Sequence, residues 1–126
     1  MGLVRAVRPV VLVVEDEFLL RMDAVDMIGA AGFEVAEAAN ADQAIEILES
    51  RPDITVIFTD IQMPGSMDGL KLARAVRGRW PPIKIILVSG RLQPASVDIP
   101  ADSRFFGKPL EAKEMIAEMQ SMIGHA

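Results

Sequence analysis

The sequence predicts an open α/β domain, a parallel sheet of five strands covered by helices on both faces. Three observations carry that prediction. Short apolar, β-branched runs recur at Val10–Val14, Ile54–Thr59 and Ile83–Val88, each bounded by turn or charged residues. Between them lie segments whose apolar residues repeat with helical spacing. No linker, repeat or low-complexity stretch interrupts the alternation. Runs without polar alternation read as strands buried on both faces. Strands alternating with amphipathic helices place those strands in a parallel sheet.

Composition bounds the function. A chain of 126 residues, 51% hydrophobic and 25% charged, is expected to be one domain spanning 1–126 with a core from about 9 to 124. A net charge of −5 argues against a nucleic-acid surface. The absence of cysteine excludes disulfides, thiolate nucleophiles and thiolate metal sites. The single histidine, His125, is penultimate and reads as part of a tail. Arg5, Arg8 and the apolar Val10–Val14 do not make a signal peptide, because the run is short and passes directly into Glu15-Asp16-Glu17. Ala6 stands where myristoylation prefers Ser or Thr, and no segment approaches bilayer length. A cytoplasmic protein with no membrane partner is the expectation.

The first strand, Val10–Val14, ends at Glu15-Asp16-Glu17. A helix follows, with Phe18, Met22, Val25 and Ile28 or Gly29 on one face, and Gly29 and Gly32 bracket its end. Phe33–Ala38 alternates weakly, as an edge strand does. Asn40 is placed to cap the second helix with Gln43 in the capping-box position, and Ala41, Ala44, Ile45 and Leu48 form its face before Arg51-Pro52 stops it. Ile54–Thr59 is the third strand, with Asp60 at its exit. Asp68-Gly69 opens the third helix, whose face is Gly69, Leu72, Ala73 and Val76; Trp80-Pro81-Pro82 ends it, with Trp80 covering the helix end. Ile83–Val88 leads to Ser89-Gly90. Pro94 and Pro100 leave room for only a short fourth helix between Arg91 and Ser103. Arg104–Phe106 is a brief fifth strand, and the fifth helix buries Ala112, Met115, Ile116, Met119, Met122 and Ile123.

Right-handed crossovers leave few topologies for five strands, and the flavodoxin-like order 2-1-3-4-5 fits best. It puts the weakly apolar second strand at an edge and the strongest runs in the centre. In that order the strand exits Glu15, Asp16, Asp60, Ser89 and Lys108 share one rim. Three crowded carboxylates repel unless a positive charge sits among them. Oxygen-only donors suit a hard cation such as Mg²⁺, and a lysine adds a point charge for a carboxylate or phosphoryl oxygen. That equipment points to phosphoryl transfer, with Asp60 as nucleophile forming an acyl phosphate. Taken singly, the acidic run is a dipole-favouring helix start and Lys108-Pro109 a strand exit. Their coincidence on one rim favours the chemical reading.

These residues resemble the receiver domain of two-component response regulators. The matching pieces are Val13-Val-Glu-Asp-Glu17, Phe58-Thr-Asp-Ile-Gln-Met-Pro64, Met67-Asp-Gly69, Leu87-Val-Ser-Gly90 and Phe106-Gly-Lys-Pro109, in order from Pro9 onward. The resemblance implies that Asp60 accepts a phosphoryl group from a sensor histidine kinase or a histidine phosphotransfer protein. It implies Mg²⁺ held by Asp16, Asp60 and the backbone carbonyl of Gln62, with Glu15 acting through water. It implies that Lys108 contacts the phosphoryl group and that Ser89 swings toward it, coupled to Phe105 on the fifth strand. The face of the fourth helix, fifth strand and fifth helix is then reshaped.

The sequence departs from the family pattern in places. Phe105 lacks the hydroxyl of the tyrosine often found there. The loop Met63–Gly69 carries one residue more than the commonest pattern, and the fourth helix is reduced. Gln62 and Arg91 flank the site. No output module follows the fifth helix, so a stand-alone or excised receiver is expected, acting by partner docking or phosphorelay. Two other readings compete. One is a constitutive interaction module of the same fold. The other is a small Mg²⁺-dependent aspartyl-nucleophile phosphatase, for which Gln62 stands where a second acid is wanted. A nucleotide or flavin carrier is disfavoured, since the acidic first-strand exit repels phosphate.

Overall fold

The computed structural model describes residues 8–63, 67–90 and 99–124. Its elements are β1 (Val10–Val14), α1 (Phe18–Ala30), β2 (Glu34–Ala38), α2 (Ala41–Ser50), β3 (Ile54–Asp60), α3 (Gly69–Arg79), β4 (Lys84–Ser89), β5 (Ser103–Gly107) and α4 (Ala112–Ile123). The last, α4, is the helix counted fifth in the sequence. All strand pairs are parallel, in the order β2-β1-β3-β4-β5. This is the flavodoxin-like arrangement predicted. The interval expected to hold a short fourth helix falls mainly on 91–98, outside the described residues, and residues 99–102 are not helical. Residues 64–66 of the loop expected to carry one extra residue lie outside the described residues, as do Arg91 and His125.

The strands divide their side chains between two cores, as a two-residue period requires. Leu12, Val14, Ile57, Ile85 and Leu87 face α2 and α3, meeting Leu48, Leu72 and Val76. Val11, Val13, Phe58, Ile86 and Val88 face α1 and α4, meeting Ile28, Met115 and Met119. Such burial on both faces explains why β1, β3 and β4 read as continuous apolar runs.

Local chemistry sets the helix ends. Asn40 Oδ1 accepts from the Gln43 N–H at 2.9 Å, and Gln43 Oε1 accepts in return from the Ala39 N–H at 2.8 Å. Asp68 Oδ1 accepts from the Lys71 N–H at 2.9 Å and starts α3. At the other end of α3 the Arg79 guanidinium lies 4.3 Å from the Trp80 ring centroid, and Trp80 packs on the core as a cover. Arg77 donates to the carbonyls of Pro81 (2.7 Å), Ile83 (2.9 Å), Ala101 (2.7 Å) and Asp102 (3.2 Å). It thereby ties the end of α3 to the starts of β4 and β5.

Several face assignments need correction. Phe18 is 60% exposed, and Gly29 and Ala112 are exposed too. Burial on α1 starts at Ala24 and on α4 at Met115. The first turn of each helix projects past the rim, where the sheet offers no cover, and periodicity alone cannot say where a sheet stops. Phe18 instead packs under the Arg21 guanidinium, 5.5 Å from its ring centroid. Ile28 rather than Gly29 closes the α1 face. Strand β5 is longer than the three residues expected, because pairing with β4 recruits Ser103 and Gly107.

Candidate functional site

The predicted strand exits converge on one rim. Glu15 leaves β1 with its N–H donating to the Ala38 carbonyl at 3.1 Å. Its Oε2 accepts from the Glu17 N–H at 3.1 Å, and its own carbonyl accepts from Arg21 Nη1 at 2.8 Å. Arg21 is braced in turn by Glu37 at 3.2 Å. Asp60 ends β3 with both carboxylate oxygens engaged: Oδ1 accepts from the Gln62 N–H at 3.3 Å and Oδ2 from Lys108 Nζ at 3.0 Å. Lys108 also lies 3.6 Å from Glu15 Oε1. Its position follows from the sheet, since its N–H donates to the Ser89 carbonyl at 3.0 Å as an extension of the β4–β5 ladder.

Glu15, Asp16 and Asp60 each offer a carboxylate oxygen within 4.8 Å of the others. Asp16 is exposed, whereas Glu15 and Asp60 are 6% and 7% exposed. Burial is the main reason the Glu15 carboxyl is pushed up to about 7; the Glu17 amide opposes it, Asp60 adds to it, and Lys108 only partly offsets it. Burial alone would lower the Lys108 pKa, but its hydrogen bond to Asp60 and the charges of Asp60 and Glu15 raise it, so the ammonium stays charged. Among the described residues the rim is therefore short of positive charge. Its donors are all oxygen, open to solvent on the Asp16 side, and they fit a hard divalent cation.

Asp60 can be reached from two sides. A largely apolar cleft of about 630 Å³ runs between α1 and the β5–α4 connection, lined by Leu20, Met27, Phe58, Val88 and Leu110. A more polar depression of about 690 Å³ lies over Asp16, Gln62 and Asp68.

Ser89 is 1% exposed at the end of β4, and its Oγ donates to Gln62 Oε1 at 2.7 Å. Phe105 is half-buried against the α2/α3 core, while Phe106 packs on the other core. Three contributors escaped the sequence reading. The sequence alone gives Arg21 no role, yet its guanidinium holds the Glu15 carbonyl. The Gln62 side chain, expected only to flank the site, accepts the Ser89 hydroxyl. Gly69 opens the helix in the sequence, yet a Cβ there would run into the Asp60 carbonyl oxygen and lie 2.9 Å from Ile61 Cα. The Asp-Gly pair at the helix start is the signal that could have found it.

The comparisons with known proteins agree with this geometry. The family model for the response regulator receiver domain matches residues 11–120. The sensor kinase CckA of Brucella abortus (strain 2308) is 37% identical over 117 residues, covering 90% of this chain but 12% of that protein. The response regulator receiver protein CpdR of the same strain is 32% identical, covering 90% of this chain and 95% of that one. The crystal structure of a response regulator receiver protein from Sinorhizobium medicae WSM419 superposes with a TM-score of 0.83 at 30% identity, over 92% of this chain and 94% of that one. The receiver domain of the hybrid histidine kinase CckA gives 0.76 at 28% identity, over 91% and 99%. With its strand order, its rim of acids and Lys108 in place, the chain belongs to the response regulator receiver domain family.

Proposed function

We propose that this chain is a phosphoryl-accepting switch working as a single receiver unit over 1–126. A phosphohistidine on a sensor histidine kinase or a histidine phosphotransfer protein is the donor. The kinase partner is suggested by the receiver found within a sensor kinase relative. An Asp60 carboxylate oxygen attacks phosphorus in line, the P–N bond to the donor breaks, and the histidine nitrogen keeps the electron pair. Asp16, Asp60 and the Gln62 backbone carbonyl would hold Mg²⁺, with Glu15 contributing through water. When bound, Mg²⁺ neutralises charge on the phosphoryl oxygens. Lys108 pairs with a phosphoryl oxygen, and Ser89 donates to another while Phe105 repacks. Hydrolysis of the acyl phosphate by water resets the switch. The output is altered docking to a downstream protein or onward relay, in the cytoplasm, without nucleic acid or membrane as partner. No helix among the described residues is long and apolar enough to cross a membrane.

The observation that carries this reading is Lys108 Nζ at 3.0 Å from Asp60 and 3.6 Å from Glu15, beside a three-acid cluster. The phosphatase alternative lacks its second acid, because Gln62 does not titrate. Incubation with Mg²⁺ and a labelled small phosphodonor such as phosphoramidate tests the proposal. Wild-type protein should take label, while Asp60→Ala and chelated wild type should not. An unlabelled wild type, or an equally labelled Asp60→Ala, would leave a constitutive binding module as the better account.

A further inference from the structure

We propose that the Gln62 side chain is a positioning residue that holds the Ser89 hydroxyl in its unphosphorylated arrangement and gives it up when Asp60 is modified. The inference rests on the receiver reading above and assigns a regulator to that site. Residue 62 grips two partners at once. Its N–H is on Asp60 Oδ1 at 3.3 Å, and its side-chain Oε1 accepts the Ser89 hydroxyl at 2.7 Å. A serine hydroxyl carries one proton. Directed at Gln62, that proton is withheld from any oxygen attached to Asp60. Donating to a phosphoryl oxygen requires the hydroxyl to rotate away from the amide.

The geometry also gives the sign and size of the effect. Ser89 is buried, but Gln62 is half-buried at the rim, so its abandoned Oε1 can turn to water. The cost is then one exchanged hydrogen bond, not a buried orphan, and corresponds to roughly two- to tenfold in an equilibrium. Gln62 thus favours the unmodified state. By linkage, removing its acceptor raises the affinity of the Asp60 site for a phosphoryl group.

Beryllium trifluoride anion, which mimics a phosphoryl group on a carboxylate, is titrated with Mg²⁺ present into wild type, Gln62→Leu, Ser89→Ala and the double variant. Leucine keeps the bulk of the side chain without an acceptor, and Gln62→Ala is a second variant expected to act in the same direction. Gln62→Leu should bind about fivefold more tightly than wild type. In the Ser89→Ala background the same change should have no effect, because the coupling runs through the hydroxyl. No tightening in either Gln62 variant, or tightening that persists with Ser89→Ala, overturns the inference while leaving the receiver reading intact. A wild type that binds no beryllium trifluoride and takes no label at Asp60 overturns both.

Discussion

Among the described residues, each rim of the sheet has a cation lying between two carboxylates, and the two triads are opposites. At the amino rim Arg51 reaches Asp53 at 2.8 Å and Glu34 at 3.0 Å. Its planar fork also takes the second Asp53 oxygen at 3.1 Å, in open solvent. The hydrogen bond from Arg51 holds Asp53 below the usual carboxylate range. At the carboxyl rim Lys108 reaches Asp60 at 3.0 Å and Glu15 at 3.6 Å, but both acids are buried and Asp16 adds a third. There the Glu15 carboxyl is driven up to about 7 by desolvation. The count of charges is the same in each pair of contacts; water is what differs. A solvated triad is satisfied and has nothing left to offer a ligand. A desolvated one lacks positive charge and favours whatever supplies it.

Deleting each cation in turn is the most severe way to break this contrast. Lys108→Met should slow Mg²⁺-dependent labelling of Asp60 by about a hundredfold or more, the usual loss when a donor to developing charge is removed. Arg51→Met should leave labelling within about twofold. Comparable losses in both variants, measured as initial rates with a small phosphodonor, would show that burial does not separate the two triads.

The rims also differ in how tightly backbone approaches backbone, and α3 connects them. Gly69, at the end beside the site, has no space for a Cβ: the obstructing atoms are the Asp60 carbonyl and Ile61 Cα, neither of which can swing aside. Gly78, at the far end, has nothing within 4 Å of such an atom. Gly69→Ala should therefore cost about 3 kcal/mol in urea unfolding. Gly78→Ala should stabilise by about 0.5 kcal/mol through a better helix former. Equal effects would mean that the helix seats against β3 less closely than the structure has it.

The contrast between rims also explains what the sequence could disclose. Strands β1, β3 and β4 were legible because burial on both faces leaves few polar residues to obscure the run. The acids and Lys108 were legible because each ends a strand, and parallel strands bring their exits together. The bond from Ser89 to Gln62 was not, because it spans 27 residues and depends on which way a glutamine turns. The Gly69 contact depends on how deeply α3 seats, and the exposure of Phe18 on where the sheet stops. Periodicity records which face is apolar and not how far along that face the cover extends. The length of β5 was missed for a similar reason, since its ladder with β4 sets its ends and its own composition does not.

The sharpest comparison is in pH, because the two triads should have pH dependences of opposite sign. In metal-free, chelated buffer Glu15 has a folded pKa of about 7 against an ordinary 4.5, so the folded state binds its proton more tightly. Its contribution is fully present below about pH 4.5 and is lost as pH rises toward 7. Glu15→Gln, which cannot ionise, should gain on wild type across that window and hold a constant lead above it. Asp53 behaves in the opposite way. Its folded pKa is depressed below 3.8, so its contribution is present above that value and is lost only as pH falls through the folded pKa. The difference between wild type and Asp53→Asn should be small, because the pair is solvated, and flat from about pH 5 upward. Urea midpoints for the three proteins between about pH 4.5 and 7.5 decide it. A Glu15→Gln lead that stays level across that range would mean the buried carboxyl is no more strained than the exposed one, and the distinction between the rims would then have to rest on geometry alone.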